Sequence, residues 1–74
     1  MEDFMDFKDA WRMMLRGYKV KRYHWEGYWA LERGTIMMHC ANGEVIDIRH
    51  TDNVEYTMIN LLADDWVLAE EVSL

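Results

Sequence analysis

The sequence predicts a small α+β fold in which one N-terminal helix packs on a small antiparallel β-sheet. Apolar residues recur at helical spacing between Phe7 and Leu15. Short segments with alternating side chains follow, separated by turns that contain glycine or polar residues. The chain has 74 residues, no proline and neither a repeat nor a low-complexity stretch. We therefore expect residues 1–74 to form a single domain.

The helix is predicted from one apolar stripe with i, i+3, i+4, i+7 and i+8 spacing, which comprises Phe7, Ala10, Trp11, Met14 and Leu15. Asp3 or Asp6 is placed to accept a hydrogen bond from a free amide at the start of this helix. Gly17 supplies the left-handed residue with which helices commonly end.

The strands are predicted from alternation, and they cover residues 18–23, 28–31, 35–40, 44–48 and 66–69. Asn42-Gly43 lies between the third and fourth segments and predicts a two-residue type I′ hairpin. Residues 49–55 are polar and predict a loop. For residues 56–63 the sequence leaves two alternatives open, a short helix or a 3₁₀ turn.

A domain of this size has a marginal core, because it buries only about 60% of the surface that its unfolded chain exposes. Cys40 is the single cysteine, so an intramolecular disulfide is impossible, and no paired Cys/His spacing suggests a zinc site. The composition is 51% apolar, with four Trp and seven Met. Because exposed aromatic and methionine surface usually marks contacts, we expect a homo-oligomer.

The segment composition predicts a cytosolic protein that does not enter a membrane. No apolar run approaches the roughly 20 residues that cross a bilayer. Met1-Glu2-Asp3 is acidic, unlike the start of a signal peptide. A single free thiol is typical of a reducing cytosol.

The net charge of −6 argues against a general nucleic-acid binder. Six of the eight basic residues nevertheless lie between Lys8 and Arg22. Two interpretations stay open. The cations form a solvated helix face followed by an alternating strand, or they form a local cationic edge aimed at an anion.

Trp25 is the first candidate for ligand binding, because it follows a basic strand and precedes Glu26-Gly27 on a turn. An indole in that position can stack on an adenine face, or it can simply pack over the end of the sheet. Arg22 is the candidate for a phosphate, which guanidinium binds with two hydrogen bonds. The alternative is an ion pair with Glu26 or Asp65.

The segment after the predicted short helix supplies polar candidates. Asn60 can both donate to and accept from a base edge or a ribose hydroxyl. Asp64 and Asp65 can accept from ribose hydroxyls. For all three residues the alternative is an ordinary role in turn or cap chemistry. The remaining reactive side chains have no spacing typical of a metal site or of a nucleophile and its base, so we expect no catalytic or metal role for them: His24, His39, Cys40 and His50.

Two end motifs together resemble the phage-encoded Thoeris anti-defence sponges of the second type. The first motif comprises Phe7, Ala10, Gly17, Val20, Arg22, Trp25 and Gly27, and the second Leu61, Leu62, Ala63, Asp65 and Trp66. The match spans residues 7–70. Family members usually carry an aspartate where this chain has Asn60, and a longer, proline-containing insertion where it has the short Asn42-Gly43 hairpin.

This resemblance implies a homotetramer, built as a dimer of dimers, that sequesters a cyclic nucleotide signal in the host cytoplasm without cleaving it. The signal would be a cyclised ADP-ribose or a cyclic dinucleotide. The resemblance implies the ligand aromatic at Trp25, polar contacts at Asn60 and a second ring at Phe7. The candidate ligand-binding residues are therefore Phe7, Arg22, Trp25, Tyr28, Asn60 and Asp65, and no cofactor or direct nucleic-acid partner is expected.

A second function class remains open at this point. Fourteen acidic residues would allow the chain to imitate nucleic acid and to occupy the basic channel of a host defence nuclease, in the manner of an anti-CRISPR protein. A sponge is expected to gain thermal stability with a cyclic nucleotide, whereas a nucleic-acid mimic is expected to bind its target in a strongly salt-dependent way.

Overall fold

A five-stranded antiparallel sheet with helix α1 on one face forms the protein in the computed structural model, which describes residues 4–69. The elements in chain order are α1 (Phe7–Leu15), β1 (Val20–Arg22), β2 (Tyr28–Glu32), β3 (Thr35–His39), β4 (Val45–Asp47), a 3₁₀ turn (Ile48–His50), α2 (Val54–Leu61) and β5 (Trp66–Leu68). The strand order is β4-β3-β2-β1-β5. The predicted α+β class is confirmed, and the first strand is shorter than its alternating sequence suggested.

Helix α1 begins and ends as the sequence indicates. The Asp6 side chain accepts a hydrogen bond from the Asp9 amide at 3.0 Å, which satisfies one free N–H of the first turn. The alternative cap, Asp3, lies outside the described residues. Ala10 and Met14 are buried against the sheet. Gly17, with φ +96°, ends the helix in the left-handed conformation.

The strand register determines which side chains face α1. Val20 pairs with Trp29, Trp29 with Met38, and Met38 with Ile46, so one apolar row crosses four strands on the face toward α1. Because successive side chains of a strand alternate between faces, Tyr28 and its partner His39 lie on the opposite face.

The predicted type I′ turn at Asn42-Gly43 is wrong. Among the described non-glycine residues only Arg33 has a positive φ, whereas a type I′ turn needs positive φ at both central residues. The loop holds three residues, 41–43, between Cys40 and Glu44, with Gly43 in the left-handed position. The Asn42 side chain favours this form because it accepts a hydrogen bond from the Glu44 amide at 2.9 Å.

The two-residue turn with positive φ lies one hairpin earlier. Arg33 (φ +56°) and Gly34 (φ +80°) connect Glu32 to its paired residue Thr35. This geometry is the type I′ conformation that matches the twist of the flanking strands.

Trp66 is the centre of the core, with no exposed surface. The fully or largely buried residues around it are Ala10, Met14, Val20, Trp29 and Met38. The segment before Trp66 forms α2, which resolves the alternative between a helix and a 3₁₀ turn. No helix between residues 4 and 69 has the length and apolarity needed to cross a membrane.

Candidate functional site

The turn after β1 holds Trp25 at the edge of the core. Its amide donates to the Arg22 carbonyl at 3.0 Å, and the Lys21 ammonium donates to the Trp25 carbonyl at 2.7 Å. The indole packs against Trp29 and Trp66, with ring centroids 5.6 Å and 5.3 Å apart. Two hydrogen bonds therefore hold the backbone of Trp25 and two ring contacts hold its indole, on the turn that the sequence predicted.

Gly27 closes the same turn, where the backbone passes very near to β3. A Cβ atom at residue 27 would collide with the His39 carbonyl oxygen and crowd the Ala41 amide. Only glycine permits this approach, which brings the Trp25 turn alongside the loop between β3 and β4.

A half-open cleft of about 220 Å³ lies beside Trp25. It is lined by Trp25, Glu26, Gly27, Trp29, Met38, His39, Cys40, Ala41, Ile46 and Tyr56. Most of these residues are apolar or aromatic, and no Lys or Arg is among them. The walls therefore suit a flat, uncharged ring system better than a phosphate.

A polar cluster lies at the junction of β1, β5 and α2. The register pairs Arg22 with Trp66, and the Tyr23 amide donates to the Asp65 carbonyl, so Arg22 and Asp65 become neighbours. Arg22 donates to both oxygens of the Asp65 carboxylate, from Nε at 2.7 Å and from Nη2 at 3.1 Å. The structure thus contains the ion pair with Asp65 that was one of the two alternatives for Arg22.

The ion pair shifts both partners toward their charged forms. Hydrogen bonding from Arg22 lowers the pKa of Asp65 below its usual range, against the opposing effect of burial. The hydrogen bond to Asp65 likewise raises the pKa of Arg22. The guanidinium is therefore already occupied by a carboxylate and is not open to bind a phosphate in this arrangement.

Asn60 has no exposed surface. Its Oδ1 accepts from Arg22 Nη1 at 2.8 Å, and its backbone carbonyl accepts from the Trp66 indole N–H at 3.0 Å. Its Nδ2 has no hydrogen-bond partner within residues 4–69. Asn60 thus joins α2 to β1 and β5, and it does not face the cleft.

Phe7 and Tyr28 lie apart from that cluster. The Phe7 ring packs edge-on against Trp29 and Trp66, at 5.9 Å and 5.2 Å, and so belongs to the core. Tyr28 lies on the opposite face of the sheet, where its ring stacks on His39 with centroids 4.4 Å apart. The Lys19 ammonium lies 4.8 Å from the centroid of the same tyrosine ring.

The six predicted site residues therefore fall into separate places. Arg22, Asn60 and Asp65 form the polar cluster, Phe7 lies in the aromatic core, and Tyr28 is on the far face. Of the six, only Trp25 lines the cleft. Four further residues that line the cleft were not predicted: Met38, Ile46, Ala41 and Tyr56. Strand alternation around the Arg33-Gly34 turn would have placed Met38 on the same face as Trp29, whereas the predicted two-residue turn at Asn42-Gly43 pairs Ile46 with His39 and turns it to the other face.

The cations of the first third of the chain do not form one edge. Lys8, Arg12 and Arg16 are exposed at i, i+4 and i+8 on the side of α1 opposite the buried stripe. Lys21 and Arg22 point to opposite faces of the sheet and are bonded to the turn and to Asp65. This arrangement agrees with the solvated helix face and the alternating strand.

Within residues 4–69, no three His, Cys, Asp or Glu side chains converge in a way that would hold a metal ion. Comparison of the chain with models of known protein families and with curated proteins finds no match in either set.

Proposed function

We propose that this chain is a non-enzymatic, phage-type anti-defence protein that binds and sequesters a cyclic nucleotide immune signal. The observation that supports this most directly is the Trp25 cleft, in which a firmly held indole borders an apolar space. Stacking of a base on such a ring is worth about 1–3 kcal/mol. The adenine of a cyclised ADP-ribose, or a base of a cyclic dinucleotide, is the part of the ligand that fits these walls.

The charge of the cleft supports insertion of the base rather than of the phosphates. Glu26 is the carboxylate among its lining residues, and it would repel phosphate but accept from an exocyclic amino group. Tyr56 also lines the cleft and is 53% exposed. The ribose and the phosphates would therefore extend out of the cleft.

The volume of the cleft supports a site that is shared between copies. Sites for ligands of this general size usually enclose about 300–1,000 Å³, whereas this cleft has about 220 Å³. In the proposal, a neighbouring copy supplies the remaining contacts within a homo-oligomer, which the family resemblance gives as a tetramer built as a dimer of dimers. Capture of one signal per site needs nanomolar affinity, about −12 kcal/mol.

The test is calorimetry with a panel of cyclised ADP-ribose isomers and cyclic dinucleotides, comparing the native chain with Tyr56→Ala and Tyr18→Ala. Both tyrosines are about half exposed, at 53% and 47%, so neither truncation is expected to disturb the core. Only Tyr56 lines the cleft. We expect Tyr56→Ala to weaken binding by about 1–3 kcal/mol and Tyr18→Ala to leave it unchanged.

A second measurement separates capture from hydrolysis. The ligand is released from the complex by heat and identified by chromatography, and we expect it to be recovered intact. If no nucleotide of the panel binds or raises the thermal midpoint, or if the two tyrosine variants behave alike, the proposed site is refuted. Trp25→Ala is less informative, because Trp25 also packs on two core tryptophans.

A further inference from the structure

The Trp25 cleft combines three aromatic side chains with one carboxylate. The aromatic residues are Trp25, Trp29 and Tyr56, and the carboxylate belongs to Glu26. The face of an aromatic ring carries negative partial charge, and among such rings indole attracts a cation most strongly. All four side chains therefore attract a positive charge in a ligand that enters the cleft.

The Glu26 carboxylate is not neutralised by the described part of the protein. Within residues 4–69 it has neither a hydrogen-bond nor an ion-pair partner, whereas the carboxylates of Asp9, Asp47 and Asp65 each bind an arginine. Glu26 is also exposed, so its charge is hydrated in the free protein and does not destabilise the fold. Its full negative charge is therefore available to a ligand.

The positive groups near the cleft are occupied elsewhere. The Lys21 ammonium donates to the backbone carbonyls of Tyr23 and Trp25, at 3.3 Å and 2.7 Å, and it does not line the cleft. His39 lines the cleft, but its Nε2 is bonded to the Glu32 carboxylate at 2.8 Å. The net charge of −6 adds attraction for a cation at longer range.

We propose that the Trp25 cleft selects a purine base that carries a positive charge, such as a base alkylated on a ring nitrogen. A neutral base gains stacking on the indole. A cationic base gains in addition the attraction of the ring faces, and its exocyclic amino group donates a charge-assisted hydrogen bond to Glu26. A small alkylammonium ion gains the attraction but not the stacking, so a charged base uses the cleft most completely.

This inference rests on the proposed function and names the class of ligand that the same cleft prefers. A cyclised ADP-ribose that is closed through a ring nitrogen of adenine carries a positive charge on its base at neutral pH. An isomer closed between its two riboses keeps a neutral base, and so does a cyclic dinucleotide of adenine or guanine. Among these ligands, the cleft therefore favours the isomer closed through the base.

The test uses two isomeric nucleosides, 1-methyladenosine and N6-methyladenosine, which carry the same added methyl group. Only the first is a cation at neutral pH. Their affinities for the native chain are measured at pH 7 by NMR titration, in low and in high salt. We expect 1-methyladenosine to bind about tenfold more tightly in low salt. We also expect this preference to shrink as salt is added, because Glu26 is exposed.

Glu26→Gln and Glu55→Gln form a matched pair of variants. Both glutamates are exposed, and of the two only Glu26 lines the cleft. Each substitution removes one negative charge and keeps the shape of the side chain, so we expect both variants to retain the native circular dichroism. We expect Glu26→Gln to reduce the preference for 1-methyladenosine to about twofold, which is the part due to the ring faces. We expect Glu55→Gln to leave the preference unchanged.

Four outcomes overturn the inference. These are no binding of either nucleoside at millimolar concentration, equal binding of both to the native chain, a preference that survives Glu26→Gln, and tetramethylammonium that binds as tightly as 1-methyladenosine.

The panel of cyclic nucleotides separates this inference from the proposed function. If the cyclised ADP-ribose isomers bind equally well, the proposed function stands and the charge preference is refuted. If 1-methyladenosine binds selectively while no cyclic nucleotide binds, the charge preference stands and the proposed function is refuted.

Discussion

Replacement of Arg22 by methionine tests whether the polar cluster holds β1, β5 and α2 together. The substitution keeps most of the length and apolar stem of the side chain but removes its three hydrogen bonds, two to Asp65 and one to Asn60. Asp65 and Asn60 lie 43 and 38 residues after Arg22 in the sequence. Their loss therefore acts on the tertiary structure rather than on local conformation.

We expect Arg22→Met to lower the free energy of unfolding by about 3 kcal/mol. The Asp65 side chain is 29% exposed, so water replaces part of its lost hydrogen bonding to Arg22. The stabilisation by this ion pair therefore lies between that of a surface pair and that of a buried pair. Asn60 has no exposed surface, so its Oδ1 becomes unsatisfied at a cost of about 1–3 kcal/mol. Against a total stability of about 4–11 kcal/mol for a chain of this length, the change is large.

The assay is urea unfolding at pH 7, followed by tryptophan fluorescence. With a slope of about 1 kcal/mol per molar urea for a small domain, we expect the midpoint of Arg22→Met to fall by about 3 M. Arg49→Met is the matched control, because Arg49 also binds an aspartate through two nitrogens, but locally, two residues away, with a side chain 67% exposed. We expect its midpoint to stay close to the native value.

The double variant Arg22→Met/Asn60→Leu adds a second check. Replacing both members of a buried hydrogen bond with apolar side chains costs far less than removing one. We therefore expect the double variant to be more stable than the sum of its single changes. If Arg22→Met and Arg49→Met lower the midpoint equally, the polar cluster does not stabilise the fold in the way described.

Two further predictions concern acid and the Trp25 turn. The Arg22 hydrogen bonds hold the pKa of Asp65 below its usual range, so the stability they contribute is complete above the unfolded pKa near 3.9 and is lost as the pH falls further. We therefore expect urea midpoints between pH 6 and pH 2 to fall more steeply in the native chain than in Arg22→Met. Parallel curves for the two proteins would contradict this. Gly27→Ala places a methyl group against the His39 carbonyl, so we expect thermal unfolding to show a free energy of unfolding lower by about 1–3 kcal/mol. An unchanged thermal midpoint would show that the backbone at residue 27 does not pass close to that carbonyl.

The sequence predicts elements whose signals are local. The stripe from Phe7 to Leu15, the Asp6 cap and Gly17 all act within one helix, and α1 forms as they indicate. The local signals are misleading at the two hairpin turns. Asn42-Gly43 has the more typical residues for a two-residue turn, yet Arg33-Gly34 adopts that form. In the other hairpin the Asn42 side chain accepts a hydrogen bond from the Glu44 amide, which favours a three-residue loop.

The site could be predicted only in part, because its geometry depends on strand order. Trp25 is identified by its position after a strand and before Gly27. In contrast, the choice between a phosphate and an ion pair for Arg22 depends on β5 lying beside β1, which no local pattern in the chain indicates. Tyr28 is another candidate that the sequence does not place, because the register of β2 with β3 sets it on the face opposite Trp29.

The position of β5 has a consequence for how the chain folds. The hairpins from β2 to β4 join residues that are close in sequence, whereas β5 must return to β1 across more than forty residues before Trp66 meets Phe7 and Trp29. Closure of such a long segment is slow compared with hairpin formation. We therefore expect completion of the core to be a late event, because Trp66 joins the rings of Phe7, Trp25 and Trp29 only when β5 pairs with β1.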